Sequence, residues 1–188
     1  MTDGASTAVA LLDALRRINR GVAMAVGLFL LACAAFVLSD ILLRQVEASF
    51  GGTDEISGYV MAIATSWGMG YALMELGHVR IDLIRSRGGA VARALFDLFA
   101  LATLAGTVTL VAWWSWPVVE RSLNNASRAN TPLETPLALV QIPWFAGWVW
   151  FALVSWLTLT AAAVLVLRRD FDAADQAIGA LGEAEATE

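Results

Sequence analysis

The residues best placed to do chemistry lie in one short string, Glu75-Leu-Gly-His78-Val-Arg80-Ile-Asp82. On a helix, Glu75 and His78 stand three apart and His78 and Asp82 four apart, the spacings at which side chains meet. An imidazole between two carboxylates can pass a proton. It can equally serve as a hydrogen bonder that fixes a helix-to-loop turn, and a lone histidine favours this plainer role. Asp40 and Arg44 repeat the four-residue spacing, and so do Arg93 and Asp97. Each reads as an ion pair near a helix end, where a paired charge is better tolerated than a lone one. Asp40 and Arg44 either pin a neighbouring helix or partner subunit, or form a simple helix-end pair with a snorkelling arginine.

After the Gly51-Gly52 break, Thr53, Asp54 and Glu55 supply the oxygen caps and negative charge that suit a helix N-terminus. One acidic cap suffices, so Glu55 is the better candidate for a contact to another chain. Gly58, Ala62, Ser66 and Gly70 then recur every fourth residue as a stripe of small side chains that lets another backbone come close.

Much chemistry is excluded. With one cysteine, Cys33, and one histidine, the chain alone cannot build an internal disulfide, a bis-histidine haem site or a His/Cys zinc site. It shows no nucleophile with a base, no paired catalytic carboxylates and no phosphate-binding glycine loop. No enzyme activity, cofactor or nucleic-acid partner is expected. The net charge of -5 arises in the last residues, which carry Asp170, Asp172, Asp175, Glu183, Glu185 and Glu188.

The elements that position these residues are apolar. Of 188 residues, 59% are hydrophobic and 15% charged, too apolar for a soluble globule of this size. A membrane span needs roughly 20 apolar residues, and four stretches have that length: 21–43, 56–76, 98–119 and 142–167. In hydrocarbon such runs must be helices. The expected fold is all-α, with a four-helix membrane domain over 21–167, an N-terminal segment 1–20 and an acidic tail 168–188. In the N-terminal segment, Ala8, Leu11, Leu12, Leu15 and Ile18 keep helical spacing opposite Asp13, Arg16 and Arg17, which suits either a surface helix or an extension of the first span. The apolar run continues well past Cys33 to Leu43, which argues against a cleaved signal peptide.

All 12 basic residues are arginine. Arg16, Arg17, Arg20, Arg80, Arg85, Arg87, Arg93, Arg168 and Arg169 fall on one side of the spans, against Arg44, Arg121 and Arg128 on the other. The positive-inside rule therefore puts both termini and the middle loop in the cytoplasm. Trp113, Trp114 and Trp116 close the third span and Trp144, Trp148 and Trp150 open the fourth, at the outer boundary that indoles prefer. The loop between them, with Pro132 and Pro136 and with Pro143 at the entry to the fourth span, is expected to present a rigid outer surface. No span carries a charge at its middle, so these helices offer no evident translocation site.

The pattern resembles the small membrane subunit (DctQ-type) of tripartite ATP-independent periplasmic, or TRAP, transporters. The resemblance rests on Arg44 after the first span, Asp54-Glu55 at the start of the second, the stretch 70–83 ending in His-Val-Arg-Ile-Asp-Leu, and the TPLETPLALVQIPWFAGW segment from Thr131. It implies a bacterial inner-membrane, sodium-coupled system for organic acids, in which a large membrane subunit carries the substrate and a periplasmic binding protein delivers it. The small subunit would then be a scaffold, with Asp40, Arg44, Glu55, the small stripe and the Glu75 to Asp82 turn as subunit- or helix-packing features. The rival from another class is the membrane-anchor subunit of an oxidoreductase, which the single histidine argues against.

Overall fold

A computed structural model describes residues 3–77 and 85–179; His78, Arg80 and Asp82 lie outside the described residues. The described chain is all-helical: α1 (Asp3–Arg44), α2 (Thr53–Met74), a 3-10 turn (Arg85–Arg87), α3 (Ala90–Asn124), α4 (Ala138–Leu167) and α5 (Phe171–Ile178). Among the described residues, α1, α3 and α4 are long and apolar enough to cross a membrane. The remaining expected span, 56–76, coincides with most of α2. Its 22 residues have the length of a span, but Ser57, Gly58, Tyr59, Thr65, Ser66, Gly68 and Gly70 dilute its apolar character.

The N-terminal segment and the first span form one continuous helix. Its inward face runs Ala8, Leu12, Leu15 and Asn19, whereas Ile18 is half exposed. Asn19 is buried because its amide donates to the Leu15 carbonyl at 2.9 Å, which satisfies the polar group locally. Pro143 falls inside α4, past the first turn where a proline removes no bond. Its ring removes the N–H that would otherwise pair with the carbonyl of Leu139.

The four long helices stop in a common way. Glu47, Leu76, Ala126 and Arg169 have φ of 59°, 54°, 47° and 60°, the left-handed conformation that ends helices. The following N–H groups reach back to Leu43, Ala72, Ser122 and Leu165 at 2.8–3.0 Å, the six-to-one bond of a Schellman cap. None of the four cap positions is glycine, so each helix end holds a side chain in a conformation that costs roughly 1–2 kcal/mol.

The chain divides into two compact units. The first comprises Met1–Arg20, Gly70–Val108 and Ala152–Glu188, and the second Gly21–Met69 and Thr109–Phe151. The first unit has a core of Leu12, Leu101, Val154 and Leu165, and the short helix α5 adds Ala174, Ala177 and Ile178. The second unit buries fewer large side chains, chiefly Val60, Val119 and Phe151. On α1, Met24, Leu28, Leu31, Leu38 and Leu42 all point outward. Such exposure is unfavourable in water and neutral in hydrocarbon, where lipid tails are as apolar as leucine.

Candidate functional site

In the second unit, Asp40 ends α1 as a buried carboxylate, 1% exposed, that collects donors from three places. Arg44, one turn later, donates to Oδ2 through Nε at 2.8 Å, and its Nη2 lies 2.7 Å from the same oxygen as an ion pair. The Thr53 hydroxyl at the head of α2 also donates to Oδ2, at 3.0 Å. Oδ1 accepts from the Ser49 hydroxyl at 2.9 Å and from the Phe50 backbone N–H at 2.8 Å. A buried charge is tolerable when paired and fully hydrogen-bonded, and this one is. Arg44 also donates to Thr53 Oγ1 at 3.2 Å while half of its side chain stays exposed. The spacing rule found the Asp40–Arg44 pair. It missed Ser49, Phe50 and Thr53, which make the pair the knot of the α1–α2 turn.

Glu55, just before the expected span, faces the loop between α3 and α4. Tyr59, one turn on, donates its hydroxyl to Oε1 at 2.6 Å. The Thr131 hydroxyl and then Tyr59 hold the carboxyl below its ordinary pKa, with smaller help from Thr135 and the Leu133 backbone and against the effect of burial. Oε2 is closed off from solvent. The loop is a compact structure in its own right. Ala129 N–H bonds to the Thr135 carbonyl at 2.9 Å and Leu137 N–H to the Ser127 carbonyl at 3.0 Å, while Arg128 Nη1 donates to the Glu134 carbonyl at 3.1 Å. Leu133 sits so close to Gly52 that a Cβ there, 2.5 Å from Leu133 Cγ, would collide with it.

The small stripe of α2 divides along its length. A Cβ on Gly58 would meet open space, and Ala62 is half-buried, whereas Ser66 and Gly70 are buried. Ser66 packs on Gly147 of α4, where an added Cβ would lie 2.8 Å from Ser66 Cβ and 2.9 Å from Trp67 Cδ1. Trp67 donates its indole N–H to the Pro143 carbonyl at 2.9 Å and stacks with Trp150 at 6.5 Å between ring centroids. This close α2–α4 contact explains Ser66. Gly147 stands alone on α4, outside any run of small residues at helical spacing, so the spacing pattern of α2 does not point to it.

In the first unit, Glu75 follows the last turn of α2 and pairs with Arg20 at 3.4 Å. α2 ends at Met74 and Leu76 takes the left-handed conformation, so Glu75 lies just past the helix. Asp97 is 3% exposed and pairs with Arg85, where the four-residue spacing had pointed to Arg93. Arg85 Nε lies 2.9 Å from Oδ1 and Nη2 lies 3.0 Å from Oδ2. This two-pronged geometry suits a planar guanidinium, and the 3-10 turn brings it into reach. Asp175 of α5 contacts the same guanidinium.

Among the described residues, no group of three or more His, Cys, Asp or Glu side chains is arranged to hold a metal ion. What the polar groups do is join elements of the chain at helix ends. The family model for the DctQ component of tripartite ATP-independent periplasmic transporters matches residues 33–170. No curated protein and no solved structure matches the chain.

Proposed function

Because this chain belongs to the DctQ family of tripartite ATP-independent periplasmic transporter components, we propose that it is the small scaffold subunit of a sodium-coupled transporter for organic acids. It carries no substrate itself. A large membrane subunit holds the substrate and sodium sites, and a periplasmic substrate-binding protein supplies the organic acid. The chain lies in the bacterial inner membrane with four spans, α2 being the fourth, and with both termini in the cytoplasm. The arginine asymmetry supports that orientation, and the 22-residue length of α2 supports the fourth span.

One observation carries the scaffold reading: charge sits outside the central parts of the apolar spans, and its buried members are engaged by neighbours. Asp40, the buried acid of the last turn of α1, is saturated by Arg44, Ser49, Phe50 and Thr53. α4 runs from Ala138 to Leu167 without a charged residue. A transport site near the bilayer midplane calls for polar groups or broken helices that remain available to a substrate or cation. These helices instead present a rigid, outward-facing apolar surface with firm turns, suited to lipid and to a neighbouring membrane subunit.

The test is reconstitution. Proteoliposomes holding this chain alone, given a sodium gradient and a panel of radiolabelled mono- and dicarboxylates, should show no uptake. Adding the large subunit and binding protein should restore it. Uptake by the isolated chain would overturn the proposal.

A further inference from the structure

The first unit contains a cavity of about 80 Å³ walled by Arg93, Ala94 and Asp97 of α3 and by Phe171, Asp175 and Ile178 of α5. We propose that α5 is a detachable strap over this cavity, docked by an exposed ion pair and an apolar face, whose release bares the start of α3.

A helix of eight residues does not hold itself together in water, because nucleation is unfavourable and few bonds follow it. The helicity of α5 therefore depends on docking. Its apolar face, Ala174, Ala177 and Ile178, is buried. Asp170 caps its start by accepting from Ala173 N–H at 3.3 Å. Arg16 of α1 donates to the Gln176 carbonyl in its last turn at 3.0 Å. Asp175 takes the Arg85 guanidinium.

The two carboxylates on Arg85 differ in surroundings. Asp97 and Arg85 side chains are 4% and 12% exposed, whereas Asp175 is 53% exposed. The Arg85–Asp97 pair, closed by two parallel contacts of 2.9 and 3.0 Å, is the firmer of the two and holds Arg85 to α3. The exposed pair is screened by salt and contributes little by itself, so it is the contact that gives way. Losing it shifts α5 a little further toward its melted form, a local order-disorder equilibrium that leaves α3 intact. Among the described residues, Arg16, Arg93, Asp170 and Asp172 also bring charge close to α5, and the mixture of signs makes its attachment sensitive to ionic strength.

Hydrogen exchange on the full chain in nanodiscs tests this. In Asp175→Asn, the amides of 172–178 should exchange about two- to five-fold faster, with those of 95–100 unchanged. Raising salt from about 50 to 500 mM should produce the same change in the wild type and much less in the variant. Ile178→Ala, which removes buried apolar contact while sparing every charge, should speed α5 exchange by more than about ten-fold. Unchanged α5 exchange in both variants, or equal loosening of α3 and α5, would overturn the strap.

Discussion

Arg44 holds Asp40 from one turn along α1 by a hydrogen bond from Nε at 2.8 Å and an ion-pair contact from Nη2 at 2.7 Å, both to a single carboxylate oxygen. The other oxygen is thereby left for Ser49 and the Phe50 N–H in the turn that follows. Removing the acceptor strands several donors at once, whereas removing one donor leaves a carboxylate that is still well satisfied. Ser49→Ala should therefore destabilise by about 1 kcal/mol, and Asp40→Ala by clearly more, with Asp40→Asn between them. Thermal midpoints of the detergent-solubilised variants measure the order. Equal midpoints for Ser49→Ala and Asp40→Ala would deny Asp40 its central place.

Glu55 fastens the start of α2 to the 127–137 loop as a carboxylate, since its donors hold the pKa below the ordinary 4.5. A group with a depressed folded pKa stabilises above its unfolded value and loses that contribution as pH falls through the folded one. The loop should hence resist protease at neutral pH and become more susceptible as pH falls below the ordinary 4.5 and on through the lowered pKa. Glu55→Gln should show the increased cleavage already at neutral pH, with little further change on acidification. Parallel acid sensitivity in wild type and variant would place the responsible group elsewhere.

Gly147 and Gly58 look alike in a sequence and differ in their surroundings. A methyl at Gly147 overlaps Ser66 and Trp67, while one at Gly58 meets nothing. Gly147→Ala should destabilise by about 1–3 kcal/mol, the usual range for overpacking. Gly58→Ala should be neutral or stabilising by up to about 1 kcal/mol, as alanine is the better helix former. Urea or thermal unfolding of the two variants in the same detergent distinguishes them.

Helices were legible in the sequence because a long apolar run has one outcome in hydrocarbon, whatever its neighbours are. Spacing also found Asp40 with Arg44, because both lie on α1. It failed where partners come from different elements: Asp97 is taken by Arg85 across a turn, and Ser66 by Gly147 across two helices. The i,i+4 rule sees a single helix and ranks Arg93 first by construction. The acidic tail concealed α5 in a different way. Composition drew attention to Asp170, Asp172 and Asp175, although Ala174, Ala177 and Ile178 already carried helical spacing.

The polar groups nearest the α1–α2 turn differ in what they leave free for a second chain. Glu55 turns inward to Tyr59 and the 131–135 segment. Arg44 engages Asp40 with part of its guanidinium and keeps about half its side chain in the open. An exposed arginine held in place by a buried acid is pre-organised for a carboxylate or carbonyl on a neighbouring subunit, since little rotamer freedom remains to be lost on contact. Arg44→Ala should therefore reduce copurification with the large subunit. Arg44→Lys should recover only part of it, because an ammonium cannot hold Asp40 and reach outward with the same fixed fork. Glu55→Gln should reduce the yield less, and through the loop rather than by direct contact, so that its effect tracks loop cleavage. Pull-down through a tag on the large subunit, with this chain's thermal midpoint measured alongside, separates lost contact from lost folding. Full recovery of complex by Arg44→Ala at an unchanged midpoint would remove Arg44 from the interface.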